Sequence, residues 1–137
     1  TKVFIIYKVG GYSGNLRKEV VKSSKWYFYD NGIRNAVIQD FRPPTMRSDM
    51  GMLWENYIIS ERFKRNAYLG EDRQLYFWRN YNQQEVDLVE SFAGQLSAVE
   101  IKYGERSRKQ KPKAFDQAYP DASFSIVDRD NYLDFIC

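Results

Sequence analysis

The amino-acid sequence predicts an α/β chain of the α+β type, in which helices flank a mixed sheet. Beyond residue 48, the periodic segments follow the order helix, three extended segments, helix and strand. Turn-forming or polar stretches of only three or four residues join the three extended segments, which is typical of an antiparallel meander. With 137 residues, 43% of them apolar and 17% aromatic, the chain is long enough for one packed core.

The chain divides into two parts at residue 47. Residues 1–47 predict a hairpin and a short helix that pack on a core formed by residues 48–137. The sequence opens inside an apolar strand and without an initiator methionine. We therefore interpret it as a piece of a longer polypeptide, with the hairpin at the end of a larger upstream region.

The elements of the first part follow from polarity patterns and turn residues. Residues 2–9 alternate in polarity and are rich in Val, Ile and Phe, which predicts a strand. Glycines within residues 10–15 turn the chain, and the aromatic residues 25–30 predict a second strand. A short helix is expected over residues 32–39, with Asp30 as its N-cap.

The longest helix is expected over residues 50–69, with Ser48 or Asp49 as its N-cap. Its apolar residues recur at helical spacing and form a broad face, which predicts a mostly buried helix. These residues are Met50, Leu53, Trp54, Tyr57, Ile58, Ile59 and Phe63. Glu55 lies at the margin of that face, where it would either reach a site or pair with Arg62 along the same helix.

Alternating apolar residues and short turns define the remaining elements of the core. The expected strands are 74–80, 85–92, 96–104 and 123–128, with a helix beginning at 112–118 and a possible last strand at 132–136.

Absent residue types exclude several classes of chemistry. The chain has no histidine and a single cysteine, Cys137, so imidazole bases, Ser–His triads, His–Cys zinc sites and disulfides are excluded. No phosphate-binding GxxxxGK[ST] loop, membrane-spanning apolar run or leader-like segment is found, and we expect a cytoplasmic protein. Any chemistry must use carboxylates, lysines, arginines and tyrosines, with or without a hard metal ion.

One strand combines core residues with charges. In residues 96–104, Glu100 and Lys102 share a face with Ala98, because side chains alternate along a strand. Asp87 lies in the neighbouring strand and would approach Glu100 if the two strands pair through the intervening turn. Two close carboxylates repel unless a cation lies between them, and Mg²⁺ or Mn²⁺ would serve. Glu55 would complete the acidic set.

These residues resemble the D-(x)n-ExK signature of the PD-(D/E)xK nuclease superfamily. The segments "MGMLWENYI", "LYFWRNYNQQEVDLVE" and "AVEIK" resemble, more closely, a domain of unknown function that follows a P-loop, AAA-type ATPase module in bacterial and archaeal proteins. The resemblance implies a restriction-endonuclease-like core with Asp87 and Glu100 as metal ligands, Lys102 as the catalytic lysine and Glu55 as the helix carboxylate. Valine precedes Asp87 where the superfamily's name has proline.

A basic stretch follows the Glu-x-Lys strand and would hold phosphates, which makes DNA the expected partner. Its cations are Arg106, Arg108, Lys109, Lys111 and Lys113. The net charge of +3 permits such a partner without requiring it. The alternative is a solvated loop that contacts nothing.

Three functions remain open at this stage. The first is a magnesium-dependent phosphodiesterase acting on DNA. The second is a catalytically inactive DNA-binding or self-association module at the end of an ATPase, for which a homo-oligomer is one option. In the third, Glu100 and Lys102 form an ordinary ion pair and the carboxylates only hold the sheet and helix together.

Overall fold

The computed structural model describes residues 5–14, 23–104 and 110–137 and has the predicted mixed α/β content. Its elements are β1 (Ile6–Gly11), β2 (Ser24–Phe28), α1 (Asn31–Val37), a 3-10 turn (Pro44–Met46), α2 (Met50–Leu69), β3 (Gln74–Arg79), β4 (Glu85–Phe92), β5 (Gln95–Ile101), α3 (Lys113–Ala118), β6 (Ser123–Val127) and α4 (Tyr132–Ile136). No helix in these ranges is long and apolar enough to cross a membrane.

The six strands form one mixed sheet in the order β2-β1-β3-β4-β5-β6. Strands β3, β4 and β5 pair antiparallel, as the short turns predict, while β5 and β6 pair parallel. The end of β1 pairs parallel with β3 through Gly10 and Gly11. Residues before 48 therefore extend the same sheet as the residues after it.

Apolar side chains cover both faces of the sheet. On one face, Ile58 and Ile59 of α2 pack with Phe77, Leu88 and Val99, and residues of α4 lie against them. On the other face, Phe115 of α3 packs with a second set of strand residues. That set is Trp78, Val86, Val89 and Ala98, with Ala122 from the turn before β6. Helices therefore flank the sheet, as the fold class predicts.

Residues 132–136, considered a possible strand, form helix α4 instead. The Asp128 carboxylate accepts hydrogen bonds from the backbone N–H groups of Asp130 and Asn131, at 2.9 and 3.2 Å. Asn131 donates in turn to the carbonyl of Ile126, at 2.8 Å. This turn redirects the chain out of the sheet. The error arose because a short apolar run satisfies both the helical and the extended period.

The buried face of α2 is more polar than its apolar pattern predicts. Tyr57 and Phe63 are 36% and 39% exposed, whereas Asn56 and Ser60 are buried. Asn56 accepts from the backbone N–H of Phe28 and donates to its carbonyl, each at 2.8 Å. The helix covers the outer edge of β2, so its polar side chains satisfy backbone groups that no other strand in the described part of the chain pairs with.

The two predicted helix caps have different outcomes. Asp30 caps α1 as expected, since its side chain accepts from the backbone N–H groups of Gly32 and Ile33. Asp49 occupies the N-cap position of α2 but makes no capping hydrogen bond. Its carboxylate binds Arg34 and Arg47 instead, at 2.7 and 2.9 Å.

A buried ion pair fixes α2 to the centre of the sheet. Two nitrogens of Arg62 donate to the two carboxylate oxygens of Glu90 at 2.8 and 2.7 Å, and Arg73 adds a third bond at 2.8 Å. Glu90 is 3% exposed. Burial opposes the charge on Glu90, but these arginines hold the pKa of its carboxyl below the ordinary value. Arg62 is thus engaged by Glu90, and not by Glu55 along its own helix.

We expect Arg62→Met to lower the free energy of unfolding by about 3 kcal/mol, because Glu90 would stay buried with one cation fewer. Urea denaturation at neutral pH measures this change. Lys64→Met is the matched control, since Lys64 pairs with Glu61 on the exposed side of the same helix and should cost about 0.5 kcal/mol or less. Equal losses in the two variants would contradict a buried anchor.

Candidate active site

Asp87 lies in an irregular part of β4. Tyr76 pairs with Val89 and Trp78 pairs with Val86, so the single residue Phe77 faces two residues of β4, Asp87 and Leu88. This extra residue is a β-bulge, which bends the strand and redirects a side chain. Simple alternation therefore does not predict which way the side chain of Asp87 points. Its direction follows instead from the contacts that its carboxylate makes.

The Asp87 carboxylate lies among other carboxylates near the end of the sheet. It accepts a hydrogen bond from the backbone N–H of Ile101 at 2.9 Å, and so reaches across to β5. Burial, followed by the nearby charges of Glu100 and Glu55, raises the pKa of Asp87 from its ordinary value of 3.8 to about 7. The charges of Glu100, from β5, and Glu55, from α2, thus act on Asp87 of β4, although these three carboxylates are not grouped closely enough to hold one ion together.

Glu100 and Lys102 lie where β5 ends. The strand stops at Ile101 and not at residue 104, although the backbone N–H of Lys102 still donates to the carbonyl of Val127. The Lys102 ammonium lies 3.6 Å from the Glu100 carboxylate. Glu100 is buried whereas Lys102 is half-buried, so this is not a surface ion pair. The lysine can therefore approach both the carboxylates and the solvent.

Glu55 enters the site from α2 and is held by two residues of β2. The Tyr27 hydroxyl donates to one carboxylate oxygen of Glu55 at 2.9 Å, and the Lys25 ammonium lies 3.5 Å from the same oxygen. Burial and the charge of Glu55 raise the pKa of Tyr27, which keeps its hydroxyl protonated and able to donate.

Lys25 also contacts the carboxylate of Glu85, which Arg79 binds from the other side at 2.9 Å. Burial opposes the charge on Lys25, but Glu55 and Glu85 outweigh it and raise the pKa of the ammonium. The sequence did not reveal this part of the site. Alternation along "KWYFYD" places Lys25 and Tyr27 on one face, but their contacts with Glu55 and, for Lys25, with Glu85 arise only in the tertiary structure.

The predicted phosphate-binding stretch is only partly described. Arg106, Arg108 and Lys109 lie outside the described residues. Lys111 donates to the carbonyl of Ala122 at 2.6 Å and pairs with Asp116 at 3.0 Å, which connects α3 to the turn before β6. Lys113, at the start of α3, is exposed.

The donor set suits a hard cation that retains water. Within the described ranges, no three acidic or cysteine side chains are grouped closely enough to hold an ion together. Mg²⁺ needs only one or two carboxylates, with water and phosphate oxygens completing its shell. Asp87 and Glu100 would offer such a pair, and a cation would offset the charges of Glu100 and Glu55, which add to burial in raising the pKa of Asp87.

Comparisons with known proteins identify families without an assigned function. A family model described as "Domain of unknown function (DUF4143)" matches residues 50–135, and one described as "Domain of unknown function (DUF8612)" matches residues 1–44. Two uncharacterized proteins, from Mycobacterium bovis and Mycobacterium tuberculosis, are each 25% identical over 104 residues, which is 74% of this chain and 23% of theirs. The chain thus matches about a quarter of the length of these relatives. No solved structure matches it.

Asp87→Asn should remove a pH dependence from the stability of the metal-free protein. Between about pH 4 and pH 7, the native state binds a proton at Asp87 that the unfolded state has lost, so stability falls as the pH rises through this window. The asparagine cannot ionise, and its amide oxygen can still accept from Ile101. We expect it to raise the melting temperature at pH 8 by about 3–8 °C and to have little effect at pH 4.

Calorimetry in the presence of a chelator measures both temperatures. Asp121→Asn is the control, because Asp121 is exposed and should show no such difference between the two pH values. If Asp87→Asn and the wild type have the same melting temperature at both pH values, Asp87 has the same pKa in the native and unfolded states and the prediction is wrong.

Proposed function

Because this chain belongs to the family described as Domain of unknown function (DUF4143), we propose that it is a metal-dependent, PD-(D/E)xK nuclease-like domain that acts on DNA. The supporting observation is that the Asp87 carboxylate of β4 reaches across to β5, where it accepts from the backbone N–H of Ile101, and that the charges of Glu100 and Glu55 act on it. Lys102 lies next to Glu100. This combination corresponds to the ordered set of residues in the superfamily's signature.

Each residue has a role that follows from its surroundings. Asp87 and Glu100 would hold Mg²⁺ or Mn²⁺, which when bound would polarise the phosphate and stabilise the leaving oxygen. Lys102 is half-buried, and its ammonium would orient a water or neutralise charge on the phosphate. Glu55 is held by Tyr27 and Lys25, and its negative charge acts on Asp87.

DNA would be held through its phosphates. The exposed Lys113 is the cation of the predicted stretch that remains available in the described part of the chain, since Lys111 is engaged by Ala122 and Asp116. Arg106, Arg108 and Lys109 would contribute by their charge. Contacts of this kind position the nucleic acid and carry little sequence preference.

The complete protein would supply what this chain lacks. The chain matches only 23% of the length of its mycobacterial relatives. We propose that a P-loop ATPase module precedes it in the full-length polypeptide and loads the DNA substrate, and that the assembly is cytoplasmic.

A second candidate is a catalytically inactive DNA-binding or self-association module. It is favoured by the pairing of carboxylates with resident cations, since Lys102 lies 3.6 Å from Glu100 and Lys25 lies 3.5 Å from Glu55. These contacts would stabilise the site without a metal ion. The two candidates differ in their response to divalent cations.

We expect Mn²⁺ to raise the melting temperature of the wild type, and DNA cleavage to depend on Mn²⁺ or Mg²⁺. Asp87→Asn and Glu100→Gln should each abolish both effects, because each removes a charged ligand while preserving its shape. Thermal denaturation and a plasmid-cleavage assay measure the two responses. Because the neutral variants relieve repulsion among carboxylates, their metal-free stability should not fall.

Asp121→Asn is the control for this experiment and should retain the wild-type response to Mn²⁺. The inactive module would be supported if Mn²⁺ left the melting temperature of the wild type unchanged and if Glu100→Gln melted at a lower temperature than the wild type. In that case Glu100 would act as the structural partner of Lys102.

DNA affinity should depend on salt through Lys113. For Lys113→Gln, we expect the slope of log affinity against log salt concentration to fall by about 0.9, the loss of one phosphate contact. Lys64→Gln, a control on the exposed side of α2, should leave the slope unchanged. Fluorescence anisotropy at several salt concentrations measures the slopes, and identical slopes for the two variants would exclude Lys113 from the contact surface.

A further inference from the structure

We infer that the ammonium of Lys25 occupies the place in this site where a second divalent ion would otherwise bind. Lys25 is thus a resident cation, meaning a positive charge supplied by the protein itself, and it positions the carboxylates that it contacts. The inference rests on the proposed function for the identity of the first ion, which Asp87 and Glu100 would hold. It predicts that the native site takes one divalent cation and not two.

The geometry places Lys25 between two carboxylates from different elements. Its ammonium contacts Glu85 of β4 and lies 3.5 Å from Glu55 of α2. Both carboxylates therefore surround the same nitrogen. A divalent ion in that place would reach the same two oxygens, because such ions bind carboxylates at about 2.0–2.1 Å and need only small shifts of the side chains.

Lys25 is held in place by its surroundings as well as by the carboxylates. The ammonium lies 5.3 Å from the ring centre of Phe77, a fully buried residue of β3. Alternation along β2 places Tyr27 on the same face, and its hydroxyl binds the oxygen of Glu55 that faces Lys25. These contacts hold the ammonium between the two carboxylates.

The charge balance explains why a resident cation is needed. Asp87, Glu55 and Glu85 crowd one region, and the charge of Glu55 acts on Asp87. Arg79 binds Glu85 from the far side. Glu55 has no basic side chain other than Lys25 in contact with it among the described residues. Without Lys25, Arg79 would be the only cation left in contact with these two carboxylates among the described residues, and a divalent ion would offset the remaining negative charge.

Titration with Mn²⁺, followed by electron paramagnetic resonance, tests the inference. We expect the wild type and Lys25→Arg, which retains the charge, to bind one ion. Lys25→Met should bind two, and the double variant Lys25→Met with Asp87→Asn should keep the ion between Glu55 and Glu85. Lys64→Met, the control, should match the wild type. Lys25→Gln, which can still donate a hydrogen bond to Glu55, replaces Lys25→Met if circular dichroism shows that the methionine variant is unfolded.

The outcomes separate this inference from the proposed function. If the wild type binds no Mn²⁺ but Lys25→Met binds one, the resident cation is supported and the metal-dependent function of the native chain is contradicted. If the wild type and Lys25→Met each bind one ion, the inference is overturned while the proposed function stands. If neither binds Mn²⁺, both are overturned.

Discussion

The buried ion pair between Arg62 and Glu90 is the contact on which the rest of the structure depends. It joins the middle of α2 to a central strand through two hydrogen bonds of 2.8 and 2.7 Å, and a third nitrogen of Arg62 donates to the carbonyl of Phe135 in α4 at 2.7 Å. One guanidinium thus fixes two helices on the sheet. Its planar fork suits a carboxylate better than a lysine would, and satisfied hydrogen bonds make so buried a charge tolerable.

This anchor also positions the candidate site. Glu55 precedes Arg62 by seven residues, or about 10 Å along a helix, and Asp87 precedes Glu90 by three residues, or about 10 Å along a strand. When Arg62 meets Glu90, Glu55 is therefore carried to the level of Asp87. The buried face of α2 also carries the polar side chains of Asn56 and Ser60, which both donate to the carbonyl of Phe28 at the edge of β2. The same helix therefore carries the residue that anchors it to the sheet, Arg62, and a residue of the candidate site, Glu55.

Much of this arrangement could be predicted from local patterns. Short turns indicated the meander of β3, β4 and β5. Alternation along β5 indicated that Glu100 and Lys102 share a face, and their charged groups lie 3.6 Å apart. The bulge at Asp87 could not be foreseen, because an extra residue in a strand depends on what the neighbouring strand offers opposite it. Helix α4 was missed for a related reason, since its five residues carry too little periodicity to distinguish helix from strand.

The sequence by itself determined the class of fold, the elements from α2 to β6 and the residue types available for chemistry, because these depend on composition and on the period of apolar residues. Only the tertiary structure decided which charges meet. Lys25 and Glu85 are separated by sixty residues, and they touch although β1 and β3 lie between their strands in the sheet. Register and strand order arise from packing across the whole sheet, and no local pattern encodes them.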